Sequence, residues 1–302
     1  MLVFFLLAFA FYLLVIFAIT LPYWYETGNS PSKDIPSRPW AFRSVAALCL
    51  EGAWRALQLG AAYPLAPILR HCEKPGDDTE NLPPVLLVHG LYHSPSGWMY
   101  LRRHLLKAGF RKIHTLKYSS WKTDFAAVTA KLEAAVMEIE AQYPGRKPLL
   151  VGHSLGGLII RNWLANEANQ MRALGAVTLG APHQGSKIAA LAFGQLGRSI
   201  HPSSNFFAEL ANTESPASIP CVSLVSEGDT MVLPQQNLVP VTKGWEMRLT
   251  PFTSHAGTMT KKSICRMVLW ELQRIAATEA PLPPVEQTGT PAPAEPADST
   301  EE

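Results

Sequence analysis

Charge is missing from the front of this sequence. The first charged side chain is Glu26 and the first basic one Lys33. A cleaved secretory signal carries basic residues ahead of a shorter apolar core, so Met1–Leu21 does not fit one. The net charge of +2 supplies no basic field, which argues against a nucleic-acid partner. No zinc-type spacing, phosphate-binding glycine loop or internal repeat is present. The four cysteines, Cys49, Cys72, Cys221 and Cys265, contain no C-x-x-C pair. They leave the redox compartment open; Cys221 reads as a buried thiol in a strand, and a Cys72–Cys265 disulfide is conceivable but not established. From Ala280 onward large apolar residues all but vanish, in "APLPPVEQTGTPAPAEPADSTEE". Such a Pro-rich, acidic stretch buries too little surface to offset ordering, so residues 279–302 are expected to be a disordered tail.

What is present divides the chain further. Met1–Leu21 has no charged side chain, ends at Pro22 and is followed by Tyr23, Trp24 and Tyr25. As a helix it spans about 30 Å, the hydrocarbon thickness of a bilayer, with aromatics at the interface. Residues 1–21 are therefore expected to be an uncleaved, single-pass transmembrane anchor. Lys33, Arg38 and Arg43 favour a cytoplasmic body by the positive-inside rule, without fixing the side. Residues 22–81 read as a juxtamembrane segment and linker. Within it Arg38–Leu59 carries an amphipathic pattern (Trp40, Val45, Leu48, Ala53, Trp54, Leu57) that suits either a membrane surface or the protein's own domain. Glu73–Asn81 is charged and turn-rich.

Over residues 82–278 strands and helices alternate. Strands are predicted at Val85–Val88, Lys112–Leu116, Leu149–Gly152, Ala173–Leu179, Cys221–Ser226 and Trp245–Leu249. Helices are predicted at Tyr100–Ala108, Asp124–Gln142, Leu155–Ala168, part of Ile188–Ala211 and Lys261–Ala277. This alternation predicts an α/β architecture, a mostly parallel sheet with helices on both faces and reactive groups at the strand C-ends.

At one such end stands "LLVGHSLGGLIIRNW", Leu149–Trp163. Ser154 falls at a tight strand-to-helix turn, with Gly152 and Gly156 as the small neighbours the turn needs. A serine hydroxyl needs a base, and the base an orienting acid. Between Ser154 and His255 there is one aspartate, Asp229, in "SLVSEGDTMVLP", and His255, in "PFTSHAGTM", is the one histidine beyond it; both follow predicted strands, in the order serine, acid, histidine. Asp229 also suits a simple turn cap, Glu227 is a rival acid, and His255 alone would pass for an ordinary surface histidine. His153 is not a plausible base, because strand neighbours point in opposite directions. Backbone N–H donors for a developing oxyanion are expected from Leu155, at the helix N-terminus, and from Leu91 in "VLLVHGLYHSPSGW". There Gly90 permits close approach, His89 is expected to brace the loop, and His93 is unassigned.

Together these segments resemble the α/β-hydrolase superfamily, particularly its bacterial lipase and esterase branch. "VHGL" is similar to the oxyanion loop, "GHSLGG" to the nucleophile elbow, "LGAPHQGS" to the segment after the next strand, and "GDTMVLP" to the acid loop. The resemblance covers about Leu82–Thr278. It implies the α/β-hydrolase fold, a small helical lid over about residues 187–219, and no cofactor. Ile188, Leu191, Phe193, Leu196, Phe206, Phe207 and Leu210 of that lid would suit an acyl chain. Some relatives carry a structural calcium near the histidine loop; no second suitable aspartate occurs in "RLTPFTSHAGTMTKK", so no metal is expected. The implied protein is a membrane-anchored serine hydrolase of lipid-like acyl esters, at the bacterial inner membrane. A thioesterase or acyltransferase with the same triad, or a non-catalytic binding module, would read similarly.

Overall fold

The structure, a computed structural model, describes residues 1–36, 42–62 and 82–278. Cys72, the Glu73–Asn81 linker, Trp40 and the 279–302 tail lie outside the described residues. Six strands form one wholly parallel sheet: β1 (Val85–Val88), β2 (Ile113–Leu116), β3 (Leu149–His153), β4 (Gly175–Leu179), β5 (Cys221–Val225) and β6 (Trp245–Leu249). Their order is β2-β1-β3-β4-β5-β6. Successive side chains alternate between two apolar layers, as period-two strands must. Leu86, Val88 and Leu150 face one layer; Val85, Leu87, Leu149 and Val151 face the other.

Helices cover both faces. They include α1 (Leu2–Asn29), α2 (Phe42–Ala62), α3 (Met99–Lys107), α4 (Phe125–Gln142), α5 (Leu155–Leu164), α6 (Gly194–Arg198), α7 (Asn205–Thr213) and α8 (Lys262–Ala276). α4 and α5 pack on the first layer, α3 and α8 on the second. Asp124 caps α4 by accepting the Ala127 N–H at 2.7 Å. α5 ends four residues before the predicted boundary, because the Asn166 side chain accepts the Ala168 N–H at 2.9 Å and starts a separate helical turn. The chain reverses direction across the sheet at β1, which sends β2 to one side and β3 to the other. The crevice at the C-ends of β1 and β3 is therefore the expected place for a site.

One expectation needs correction. α1 does not stop at Pro22; it runs through it to Asn29. Pro costs a helix one hydrogen bond, and the loss is offset because the helix beyond it is packed: Tyr23 and Thr27 are buried. Among the described residues one helix, over Phe9–Asn29, is long and apolar enough to cross a membrane. Cys265 is a free, buried thiol whose Sγ approaches the Met259 carbonyl at 3.7 Å.

The amphipathic segment packs on its own domain over α2. Val45, Leu48 and Ala53 are buried there, whereas Trp54 and Leu57 of the predicted apolar stripe stand exposed. Residues 187–219 are broken rather than one long helix, with a 3-10 turn at Lys187–Leu191 ahead of α6 and α7. Leu196 and Leu210 are drawn into the core while Leu191 and Phe193 are exposed.

Candidate functional site

Ser154 sits between β3 and α5 with φ 53° and ψ −123°, a left-handed conformation that costs a non-glycine residue on the order of 1–3 kcal/mol. Surrounding contacts hold it there. The Ser154 N–H donates to the Leu179 carbonyl of β4 at 2.8 Å. Around it the glycines are obligatory. A Cβ on Gly156 would lie 2.1 Å from the Val88 carbonyl oxygen, and one on Gly152 2.5 Å from the Gly157 nitrogen. The elbow is thus pressed against the end of β1, where Gly90 in turn faces the Ser154 side chain.

Asp229 and His255 come from the loops after β5 and β6. The His255 Nδ1–H donates to Asp229 Oδ2 at 2.7 Å. The other carboxylate oxygen, Oδ1, accepts the N–H groups of Met231 at 2.9 Å and Val232 at 3.1 Å. Asp229 thus acts as a loop organiser and as the partner of His255 at once. Glu227 is not that partner; its backbone carbonyl accepts from Tyr23 Oη at 2.7 Å. Ser154 and His255 line one cavity of about 410 Å³, within the usual range for small-molecule sites. Ser154 Oγ has no hydrogen-bond partner among the described residues.

Leu91 and Leu155, the expected oxyanion donors, lie in the loop after β1 and at the start of α5. Leu155 opens α5, so its N–H has no intrahelical partner. Leu91 lies on the cavity wall in a loop held by the Tyr92 N–H donating to Ser120 Oγ at 2.8 Å. His89 braces this loop: its ring stacks on Tyr118 at 4.1 Å, and Tyr118 Oη donates to the His89 carbonyl at 2.5 Å. Burial lowers the pKa of His89 to about 4. His93 is also pushed down to about 4, by burial and then by the nearby His255 and His89. His153 is wholly buried, its ring 4.7 Å from that of His255, and burial holds it well below the ordinary range. Three neutral imidazoles thus back the cavity without competing for protons near neutral pH. His183 is buried elsewhere, with Nε2 at 3.1 Å from Ser223 Oγ.

Three contributors carry no local sequence signal. Ser226 knots the two loops: its Oγ donates to the Thr253 carbonyl at 2.6 Å and accepts the Thr253 N–H at 3.0 Å. Glu51 of α2 reaches the same loop, accepting Thr253 Oγ1 at 2.7 Å and the Ser254 N–H at 3.0 Å. Gly180 follows β4 with φ 54°, and a Cβ there would lie 2.7 Å from Asp229 Oδ2; the motif "LGAPHQGS" marked this segment but not that reason. Among the described residues no cluster of His, Cys, Asp or Glu could hold a metal ion.

Comparison with known proteins agrees with this architecture. No curated protein matches the sequence. Among solved structures, a mature Bacillus licheniformis lipase superposes with a TM-score of 0.53 at 21% identity, covering 66% of this chain and 94% of that one. A soluble variant of Saccharomyces cerevisiae monoglyceride lipase gives 0.50 at 17% identity, over 67% and 89% of the two chains. Legionella pneumophila phospholipase PlaB gives 0.51 at 16% identity, over 64% of this chain and 59% of that one. The model of the alpha/beta hydrolase family matches residues 85–293, more than half of the sequence, and the chain belongs to that family.

Proposed function

We propose that this protein is a membrane-anchored serine hydrolase of carboxylic, lipid-like acyl esters. The observation that carries the reading is the meeting of a strained Ser154 with an Asp229-paired His255 on one largely apolar cavity. With Nδ1–H given to Asp229, His255 keeps Nε2 to accept a proton. Hydrogen bonds between nucleophile and base are often long before substrate binds and tighten in the complex, which is where Ser154 Oγ and His255 Nε2 are to meet.

Ser154 Oγ then attacks the ester carbonyl carbon while its proton passes to His255 Nε2. Asp229 steadies the imidazolium, and the N–H groups of Leu91 and Leu155 hold the oxyanion, one such donor being worth about 3–4 kcal/mol. The tetrahedral adduct collapses, its C–O bond breaks, and the leaving alkoxide takes the proton from His255. Water, deprotonated by His255, attacks the acyl-Ser154 carbonyl; the acid leaves and Ser154 regains its proton. The lipase names among the structural neighbours and the apolar lining favour an acyl ester. The apolar reach of α1 supports the anchor.

The test is Ser154→Ala. The variant is expected to lose turnover of p-nitrophenyl acyl esters and labelling by a fluorophosphonate probe. Equal labelling of variant and wild type would overturn the assignment.

A further inference from the structure

We propose that α1 and α2 form one wall of the acyl site, so that the substrate is a bilayer-resident lipid ester drawn in along α1, with Ile16 and Ile19 gauging its acyl chain. The proposal rests on the reading of Ser154 as nucleophile given above. A helix that served only as a tether would face lipid on every side. α1 does not. Thr20, Tyr23 and Thr27 recur at helical spacing and are buried, while Leu14, Phe17, Leu21 and Trp24 between them are exposed. The inward stripe continues toward the N-terminus through Ile19 and Ile16, both half-buried.

That stripe ends on the cavity itself. Ile16, Ile19 and Thr20 of α1, with Leu48, Gly52 and Ala56 of α2, line the same space as Ser154 and His255. The wall is fixed in register with the chemistry by polar ties. Tyr23 Oη donates to the Glu227 carbonyl, two residues from Asp229. Lys187, at the start of the segment opposite, pairs with Glu26 of α1 at 2.9 Å. Glu51 of α2 holds the loop of His255.

The rim matches the same occupant. Leu191 lines the cavity yet is 75% exposed, and Phe193 beside it is 71% exposed. Apolar side chains standing open at a cavity mouth suit a lipid surface rather than water. Leu50, Trp54 and Leu57, on the outer side of α2, are exposed as well. An acyl chain lying beside α1 would meet Ile16 and Ile19, which line the same cavity as Ser154.

The experiment uses the full chain in detergent micelles, with p-nitrophenyl esters from butyrate to palmitate. The readout is the palmitate-to-butyrate ratio of kcat/KM. Ile16→Trp and Ile19→Trp fill the wall and are expected to lower that ratio about tenfold or more, equivalent to losing room for one or two methylenes. Leu14→Trp, on the outward side of the same helix, is expected to leave it at the wild-type value. Fluorophosphonate labelling of Ser154 is followed in parallel, so a failure of the nucleophile is told apart from a failure of the wall. Should a Trp variant lose labelling, the double variant Ile16→Ala/Ile19→Ala decides, because it opens space and is expected to move the ratio the other way. An unchanged ratio in labelled wall variants, or an equal shift in Leu14→Trp, overturns the proposal.

Discussion

Glu51 offers the sharpest test of how α2 supports the histidine loop. Its carboxylate accepts Thr253 Oγ1 at 2.7 Å, the Ser254 N–H at 3.0 Å and Arg55 Nε at 3.0 Å. Burial by itself would raise its pKa, but the hydrogen bonds from Ser254, Thr253 and Arg55 outweigh it and hold the carboxyl below the usual range. In Glu51→Ala two donors on buried residues, Thr253 at 1% and Ser254 at 2% exposure, lose their acceptor. Each such loss costs about 1–3 kcal/mol. Because the Glu51 side chain is 27% exposed, water replaces part of it, and about 2–4 kcal/mol in total is expected. Glu51→Gln keeps one acceptor oxygen but turns an amide NH₂ toward the other donor, so about half that cost is expected. His255 follows Ser254 in the chain, and a displacement of about 1 Å at a reacting group costs on the order of 100-fold in rate. Urea unfolding followed by tryptophan fluorescence gives the stability, and the rate of fluorophosphonate labelling gives the effect on the site. A Glu51→Ala protein with the wild-type midpoint and labelling rate would refute the reasoning.

The remaining expectations concern the acid, a buried ion pair and acid stability. Asp229→Asn keeps the shape but disturbs the imidazole tautomer; kcat on p-nitrophenyl butyrate is expected to fall about 10³–10⁴-fold, and a fall of less than tenfold would remove Asp229 from its role. Arg161 of α5 pairs with Glu214 through two bonds, Nε–Oε1 at 2.8 Å and Nη2–Oε2 at 2.6 Å, both side chains being under a tenth exposed. Glu214→Ala leaves a buried cation with a single hydroxyl, Thr242, and the His183 carbonyl, so about 3–5 kcal/mol of stability is expected to go; a shift in urea midpoint worth under 1 kcal/mol would contradict this. His89 and His93 have folded pKa values near 4, against about 6.5 in the unfolded chain. The unfolded state therefore binds more protons between these values, and stability is full above about pH 6.5 and lost as pH falls toward 4, on the order of 3 kcal/mol per residue. His89→Gln is expected to flatten that pH dependence of the unfolding free energy, and an equally steep curve would count against the assignment.

What could be read in the sequence and what could not divides along sequence distance. β1 and β6 have the predicted bounds, and the other strands lie within two residues of theirs, because their apolar runs are bounded by turn residues. The elbow was legible because strand, turn and helix lie within fifteen residues and the glycines are demanded locally. The expectation that Ser154, Asp229 and His255 belong together rested on their order and their places after strands; in the structure Asp229 meets His255, and His255 shares a cavity with Ser154. Glu51 could not be read as part of the site, since nothing near residue 51 announces a partner near residue 254. Likewise Pro22 read as a helix end, because the burial of Tyr23 and Thr27 that carries α1 past it depends on surfaces contributed from residue 186 onward. The segment after β4 read as one apolar helix-like stretch; its breaks at Ala192–Phe193 and Ile200–Ser204 follow the separate burial of Leu196 and Leu210.

The tie between Tyr23 and Glu227 joins groups 204 positions apart, as does that between Ser32 and Gln236. α1 has a nearer partner in α2, where Tyr23 packs with Leu48 and Tyr12 Oη donates to the Ala53 carbonyl. Its ties to the acid loop are of another kind, because closing so long a loop is entropically costly before any contact rewards it. The two helices can therefore pair with each other before the turn after β5 exists to supply the Glu227 carbonyl for Tyr23.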